Sequence, residues 1–464
     1  MPNSGMAITR QGLIACAAAL APMLLAGPAH ANTYTVTTTA DSGAGSLRKA
    51  IADANARSGA DTIDFNLSGS GPFVIQPATK LPTITDTVTL DATTQPGWSG
   101  APLVEIDGSA TASGDGISVR ARASVIRGLA IHSFDAAVSL LNSDNVVEQC
   151  WIGLDAAGAT SRPNDHGIYI AGSGARIAES VICSSVNEGV LVLARAVVIE
   201  DNLIGIDPTG KLAIGSRDGV SFNLGVDNGV VRRNVISGNR QHGVIVTDGG
   251  TSAHSILDNW IGTGADLVTR IGNGVHGIHV INGDSSLIQG NVITANGSAG
   301  VRVELNNGSS TQARKNHITL NSIFGNRGPG IEIGANGNDA LDVDTGANEL
   351  QNSPDLQMAV NDPSGLHLFG GLHSLPSTPF NLEIYGNTSI DAEGEVLLAT
   401  LSVTTNVVGD AFFYALLPSW PLGLPITATA TDPLGNTSEF GSVLVGTPPS
   451  IFINPPGGPP VEKR

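Results

Sequence analysis

One short signature recurs along the middle of this chain and limits what it can fold into: a glycine, then two apolar residues flanking a variable one. It appears as Gly116-Ile117-Ser118-Val119, Gly167-Ile168-Tyr169-Ile170, Gly189-Val190-Leu191-Val192 and Gly219-Val220-Ser221-Phe222. It continues as Gly243-Val244-Ile245-Val246, Gly277-Ile278-His279-Val280, Gly300-Val301-Arg302-Val303 and Gly330-Ile331-Glu332-Ile333. Ala137-Val138-Ser139-Leu140 is the same unit with alanine for glycine. A second signature, apolar-x-x-Asn-x-Ile, follows these units. Its isoleucines are Ile131, Ile152, Ile182, Ile204, Ile236, Ile261, Ile293 and Ile318, with asparagine two places earlier at 202, 234, 259, 291 and 316. Five places before each isoleucine sits a further apolar residue: Ile126, Val147, Ile177, Ile199, Val231, Ile256, Ile288 and Ala313.

Apolar residues two apart describe strands with one buried face. Segments of three to five residues cannot bury that face alone, so they must stack coil on coil. Equivalent side chains then form columns about 4.8 Å apart, with isoleucines inside and hydrogen-bonded asparagines in the turns. Leucine-rich repeats need helical segments, and propeller blades need four strands in about 40 residues. Neither pattern is present.

These columns resemble the right-handed, pectin-lyase-like parallel β-helix family, over about residues 85 to 335. The resemblance implies that the glycine-led segment is the first strand of each coil. It also implies an asparagine ladder between the second and third strands, and a variable third turn after each isoleucine. It specifies architecture better than activity, because one fold hosts unrelated functions.

Coil lengths from glycine to glycine, with Ala137 standing in, are 21, 30, 22, 30, 24, 34, 23 and 30 residues. Short and long coils alternate. The long ones carry Ile152-Gly153-Leu154-Asp155, Ile204-Gly205-Ile206-Asp207 and Ile261-Gly262-Thr263-Gly264, which predicts three similar loops on one side, every second coil. Such a comb suits a polymer of repeating units; equally, Asp and Gly there serve turn chemistry in a duplicated two-coil unit.

The ends read differently. Arg10, the apolar run Leu13–Leu25 and Ala29-His30-Ala31 form a signal peptide over 1–31, so export from the cytoplasm is expected. No stretch is long enough to span a bilayer. Residues 32–84 are expected to cap the solenoid, with strands at Thr33–Thr38, Asp61–Phe65 and Phe73–Gln76. A short helix at Ser46–Ala54 has Leu47, Ile51 and Ala54 on one face. Its run Ser46-Leu47-Arg48-Lys49-Ala50-Ile51 resembles, in part, the Cys-Ser-Leu-Arg-Glu-Ala motif of bacterial surface β-helix proteins. The solenoid then occupies 85–353. Residues 354–446 alternate as strands near Leu366–Gly370, Phe380–Tyr385, Val396–Val403, Ala411–Leu416 and Pro425–Ala430. They form a sandwich resembling the immunoglobulin-like repeats of bacterial secreted and adhesive proteins. A Pro-rich tail closes the chain over 447–464. The whole is an all-β chain: a right-handed parallel β-helix with an N-terminal cap helix and a C-terminal β-sandwich.

Net charge is −18, or −19 once Arg10 leaves with the signal, which disfavours nucleic acid and anionic membranes as partners. A polyuronate needs a bridging cation here. Cys150 stands in the asparagine column and Cys183 three places further on in the next coil, an offset of roughly 10 Å that excludes a disulfide. Asp339, Asp342 and Asp344, with Gly346, alternate oxygens as calcium loops do, and Glu349 is a candidate fourth donor. An acidic linker rich in Asx turns accounts for them as well.

In the family resembled, active clefts lie along the first strand. Outward positions there are Tyr169, Leu191, Ser221, Ile245, His279, Arg302 and Glu332, and the residues before each glycine add Asp115, His166, Glu188, Asp218, His242 and His276. Asp218, His242, His276, His279 and Arg302 thus fall on four neighbouring coils of one face. A carboxylate, imidazoles and a guanidinium supply acid, base and charge stabilisation for a polysaccharide lyase, hydrolase or epimerase. Paired acids, which glycoside hydrolysis needs, are offered only by Asp218 with Glu188. The signatures of polygalacturonases and pectate lyases are missing. The competing reading is a non-catalytic, adhesin-like surface or matrix protein that binds a cell-surface glycan or a partner protein.

Overall fold

In the computed structural model, residues 31–247, 253–306, 313–334 and 337–446 are described. Residues 1–30 of the expected signal peptide and the Pro-rich tail lie outside them. Among the described residues, the parallel strands build three sheets. A nine-stranded first sheet runs from Ile117–Val119 to Ile331–Glu332. An eleven-stranded second sheet runs from Thr33–Val36 to His317–Thr319, and a ten-stranded third sheet from Phe73–Ile75 to Ser322–Phe324. Each coil visits all three in turn, which makes the chain a right-handed parallel β-helix.

The columns follow from the register. Ile131, Ile152, Ile182, Ile204, Ile236, Ile261 and Ile293 stack directly in the third sheet, each fully buried. Each removes enough apolar surface from water to stabilise the coil by about 1.5–3 kcal/mol. The leading glycines have a steric cause. A Cβ at Gly219, Gly243, Gly277 or Gly300 would lie 2.5–2.7 Å from the carbonyl oxygen of the next coil's glycine.

In seven successive coils the corner between the second and third sheets is turned by one residue in the left-handed region: Gln149, Glu179, Asp201, Arg233, Asp258, Gly290 and Leu320. The next residue carries the ladder. Asn202, Asn234, Asn259 and Asn291 each accept, at Oδ1, both the backbone N–H and the side-chain N–H of the asparagine below, or the N–H of Ser180, at 2.9–3.0 Å. Cys150 and Ser180 start the same column.

The last coil corrects the sequence reading. Ile318 pairs with Ile288 in the second sheet, and Ile323 continues the isoleucine column above Ile293. Asn321, not Asn316, receives the N–H groups of Asn291 at 2.9 and 3.0 Å. Ala313 therefore does not occupy the apolar column, which Ile318 fills. Asn-x-Ile occurs twice here, at 316–318 and 321–323, and this coil takes its extra length before the second sheet, between Glu304 and His317.

The loops of the other long coils are small hairpins, bridged at Leu154–Ser161, Ile206–Ala213 and Thr263–Arg270. Asp155, Asp207 and Asp266 hold them by accepting loop N–H groups at 2.8–3.3 Å. They fold over the third sheet instead of standing free. Leu154 covers Val181 and Cys183, Ile206 and Ile271 cover Val235, and Ala265 N–H donates to Gly210 O of the neighbouring hairpin at 2.9 Å. Cys150 and Cys183 are both free and buried, and burial pushes each thiol up to about 12.

At the N-terminal end the helix Leu47–Asn55, capped by the Ser46 hydroxyl on Lys49 N–H, lays Leu47, Ala50, Ile51 and Ala54 on the core. At the other end lies a seven-stranded β-sandwich. Its strands Asp355–Asp362, Gly365–His373 and Asp410–Leu417 form one antiparallel layer. Pro379–Gly386, Val396–Thr404, Pro425–Thr431 and Gly441–Gly446 form the other. The last strand also runs parallel to the first, pairing at Ala359–Val445. The sandwich closes the open solenoid edge by taking up its backbone donors. Lys315 N–H meets Asn436 (2.6 Å), Ile318 N–H meets Thr437 (3.0 Å), Leu320 N–H meets Glu383 (3.0 Å) and Ile333 N–H meets Glu439 (2.9 Å). Ile323 and Gly394 exchange both backbone bonds.

Candidate functional site

The outer face of the first sheet is set by strict pairing. Glu188 pairs with Asp218, Ser221 with Ile245, Ile245 with His279, and His279 with Arg302, which pairs with Glu332. Asp218, His242, His276, His279 and Arg302 are therefore neighbours on successive coils.

Two connected groups result. In the first, Arg217 bridges Glu188 and Asp218, with its Nε 3.0 Å from Asp218 Oδ2, and His166 Nδ1 lies 2.8 Å from Glu188 Oε2. Burial opposes charge on Glu188, but His166 and Arg217 hold its carboxyl below the usual range. In the second, His242 and His276 stack with centroids 5.3 Å apart, and His279 stands within 4.9 Å of both. Glu304 joins His279 Nε2 (3.1 Å) to Arg302 Nε (3.0 Å), and Arg302 reaches Glu332 at 2.6 Å. All three imidazoles are over nine-tenths buried. That burial, reinforced by their mutual repulsion, lowers His276 to about 3 and His279 to about 4, so both are neutral at pH 7.

The residues before the glycines also form a ladder. Asp218 Oδ1 accepts His242 N–H (3.1 Å), His242 Nδ1 accepts His276 N–H (3.4 Å), and His276 Nδ1 accepts Ala299 N–H (3.2 Å). An imidazole that accepts at Nδ1 carries its proton on Nε2. The free edges of His242 and His276 are thus donors. One nitrogen from each of the three rings lies within 4.8 Å of the other two. A cation could take Nε2 of His242 or His276 only by moving that proton to Nδ1, against a backbone N–H. The ladder and a three-imidazole metal centre exclude each other at these rings.

Arg217, Glu304 and a second asparagine ladder escaped the sequence reading. Glu304 is simply the next outward position after Arg302. The ladder runs Asn239, Asn273, Asn296 and Asn326, each four places before a strand-leading glycine, with Oδ1 of Asn273, Asn296 and Asn326 accepting from the preceding asparagine at 2.9–3.1 Å.

Asp339, Asp342 and Asp344 converge within 4.8 Å of one another, between the last coil and the sandwich. Asp342 already accepts from Gln351 (2.8 Å), Ser374 (2.5 Å) and Asn352 N–H (3.2 Å). Burial and the two neighbouring acids raise it to about 6. Glu349 turns instead to Arg314 at 2.5 Å, so the fourth donor expected of it is committed elsewhere.

No family model and no curated protein matches the chain. Among solved structures it is similar to the enzymatically active domain of tailspike protein 2 of bacteriophage CBA120, at 10% identity and TM-score 0.40, covering 86% of this chain and 73% of that one. An alginate lyase from Paenibacillus is similar at 15% identity and TM-score 0.34, covering 65% and 96%. The A-module of a mannuronan C-5 epimerase from Azotobacter vinelandii is similar at 15% and 0.33, covering 66% and 88%.

Proposed function

We propose that this protein is exported and engages a polysaccharide along the outer face of the first sheet. The observation that carries this reading is that the first sheet's outer face brings imidazole, carboxylate and guanidinium groups together on successive coils, whereas the other two faces carry hairpins and arginine–carboxylate pairs. Hairpins cover the third sheet. An ion-pair ladder, Asp91–Arg127–Glu148–Arg176–Glu200–Arg232, interlocks on the second. On the first sheet Glu188, Asp218, Arg302 and Glu304 are ion-paired too, but imidazoles stand among them at constant coil spacing, which suits a polymer of repeating units.

Catalysis as a lyase, hydrolase or epimerase would ask His242 or His276 to accept a proton. Their ladder bonds favour the alternative, an adhesin-like protein that binds without turnover, because Nε2–H donates to sugar oxygens and cannot abstract protons. Calcium at Asp339, Asp342 and Asp344 would pin the sandwich to the last coil. Calcium titration read by calorimetry should then raise the melting temperature of the native chain and leave Asp342→Asn unmoved.

The test is a polysaccharide panel scored for binding and for reducing-end or unsaturated products. Binding that Arg302→Ala weakens, without products, supports the reading; products lost in His242→Ala would establish the enzyme instead. Failure of every polysaccharide to bind overturns the proposal.

A further inference from the structure

The sandwich carries a second, separate surface that the first-sheet reading does not use. Three in-register positions cross its outer layer: Asp355 pairs with Gly371, and Gly371 with Phe412. Gly371 has no side chain, so the middle of the three is a gap. A Cβ built there would meet the Phe412 ring edge at 3.7 and 3.8 Å. The result is a trench of about 220 Å³ with an aromatic wall on one side and Asp355 and Gln357 on the other. His373 and Asp410, paired at 2.6 Å, close one end.

Phe412 is 80% exposed, and Tyr414, two residues along the same edge strand, is 51% exposed. Aromatic residues are only 4% of the chain, yet Phe369 joins these two, its ring 5.0 Å from Tyr414. Leaving such rings in water forgoes their burial, which points to a ligand that covers them. The rim restricts that ligand. Asp355 and Asp410 are acceptors that repel anions, so the occupant presents hydroxyl donors on its edge, an apolar C–H face to the ring, and no negative charge. Aromatic faces are negative and attract polarised C–H groups.

We infer that the trench between Asp355 and Phe412 is a binding subsite for a neutral pyranose ring, with Phe412 as platform and Asp355, Gln357 and Asp410 as hydroxyl acceptors and donors. It would hold a polymer of uncharged sugars, or one with uncharged units, independently of the solenoid face.

The experiment is titration calorimetry of the full chain with neutral hexasaccharides of glucose, mannose and galactose, and with oligogalacturonate as the anionic comparator. At least one neutral probe should bind. Phe412→Ala and Gly371→Val should each weaken that binding by about ten-fold or more, one by removing the platform and one by filling the gap. Arg122→Ala, at an exposed solenoid position outside both surfaces, should leave it unchanged. Loss of all neutral-probe binding in Arg302→Ala, with Phe412→Ala binding like the native chain, would place the binding on the first sheet and overturn the inference. Circular dichroism melting confirms that each variant is folded. The inference is overturned if no neutral probe binds, if oligogalacturonate binds and competes at this site, or if both sandwich variants bind like the native chain. It is also overturned if the native chain sediments as a dimer that Phe412→Ala converts to monomer, because the aromatic face would then join two copies.

Discussion

At the residue scale, stability is concentrated in side chains that serve the backbone of the next coil. Asn259 accepts two N–H groups of Asn234 and donates to Val231 O and Asn291 Oδ1. Asn259→Ala should cost about 1–3 kcal/mol for each donor left unmet, read by guanidinium unfolding. Surface asparagines outside the ladders should cost little. The histidines add a pH dependence of definite sign. Burial keeps His254 and His279 at about 4 and His276 at about 3 in the fold, against about 6.5 in the unfolded chain. The unfolded state therefore binds more protons below about 6.5, and stability should fall as pH drops from there towards 3. A melting temperature flat between pH 7 and 4 would contradict the neutral-histidine ladder. These ladders were only half legible. Asn202 to Asn291 stood out because each lies two places before an isoleucine, whereas in the last coil two Asn-x-Ile runs compete and only three-dimensional stacking selects Asn321.

At the element scale, the joint between solenoid and sandwich behaves oppositely. Burial raises Glu393 to about 7, with Asn326 N–H groups only partly opposing it. A group whose pKa is raised on folding contributes fully below its unfolded value, near 4.5, and loses that contribution as pH rises through 7. Glu393→Gln should therefore melt like the native protein at pH 5 and higher than it at pH 9. The ion-pair ladder makes a graded prediction. Arg176 is over a third exposed, and its loss leaves Glu200 still paired with Arg232 and Arg233, so Arg176→Ala should cost under about 1 kcal/mol. Glu200→Ala, which takes a carboxylate from Arg176, Arg232 and Arg233 at once, should cost more. The hairpins show where reading elements from sequence fell short. Their Asp and Gly residues signalled turns, but nothing in a linear pattern says that Leu154 and Ile206 fold back over the third sheet.

At the scale of the whole molecule, the repeats gave away the solenoid because stacking demands the same residue at the same place in every coil. The site was less legible because function needs no repetition. Arg217 and Glu304 fall at ordinary positions and matter only through what faces them. The two ends follow the logic of an open-ended stack, and removal of residues 355–446 should expose the donors of Lys315, Ile318, Leu320 and Ile333 and drive oligomerisation, visible by light scattering. The central claim is that a polysaccharide lies along the first sheet. Hydroxyl-radical footprinting with a bound polysaccharide tests it most directly. Protection of Tyr169 and His166, with Trp151 and Trp260 under the hairpins unchanged, is the predicted result. Protection confined to the sandwich, or to the hairpin side, would contradict it.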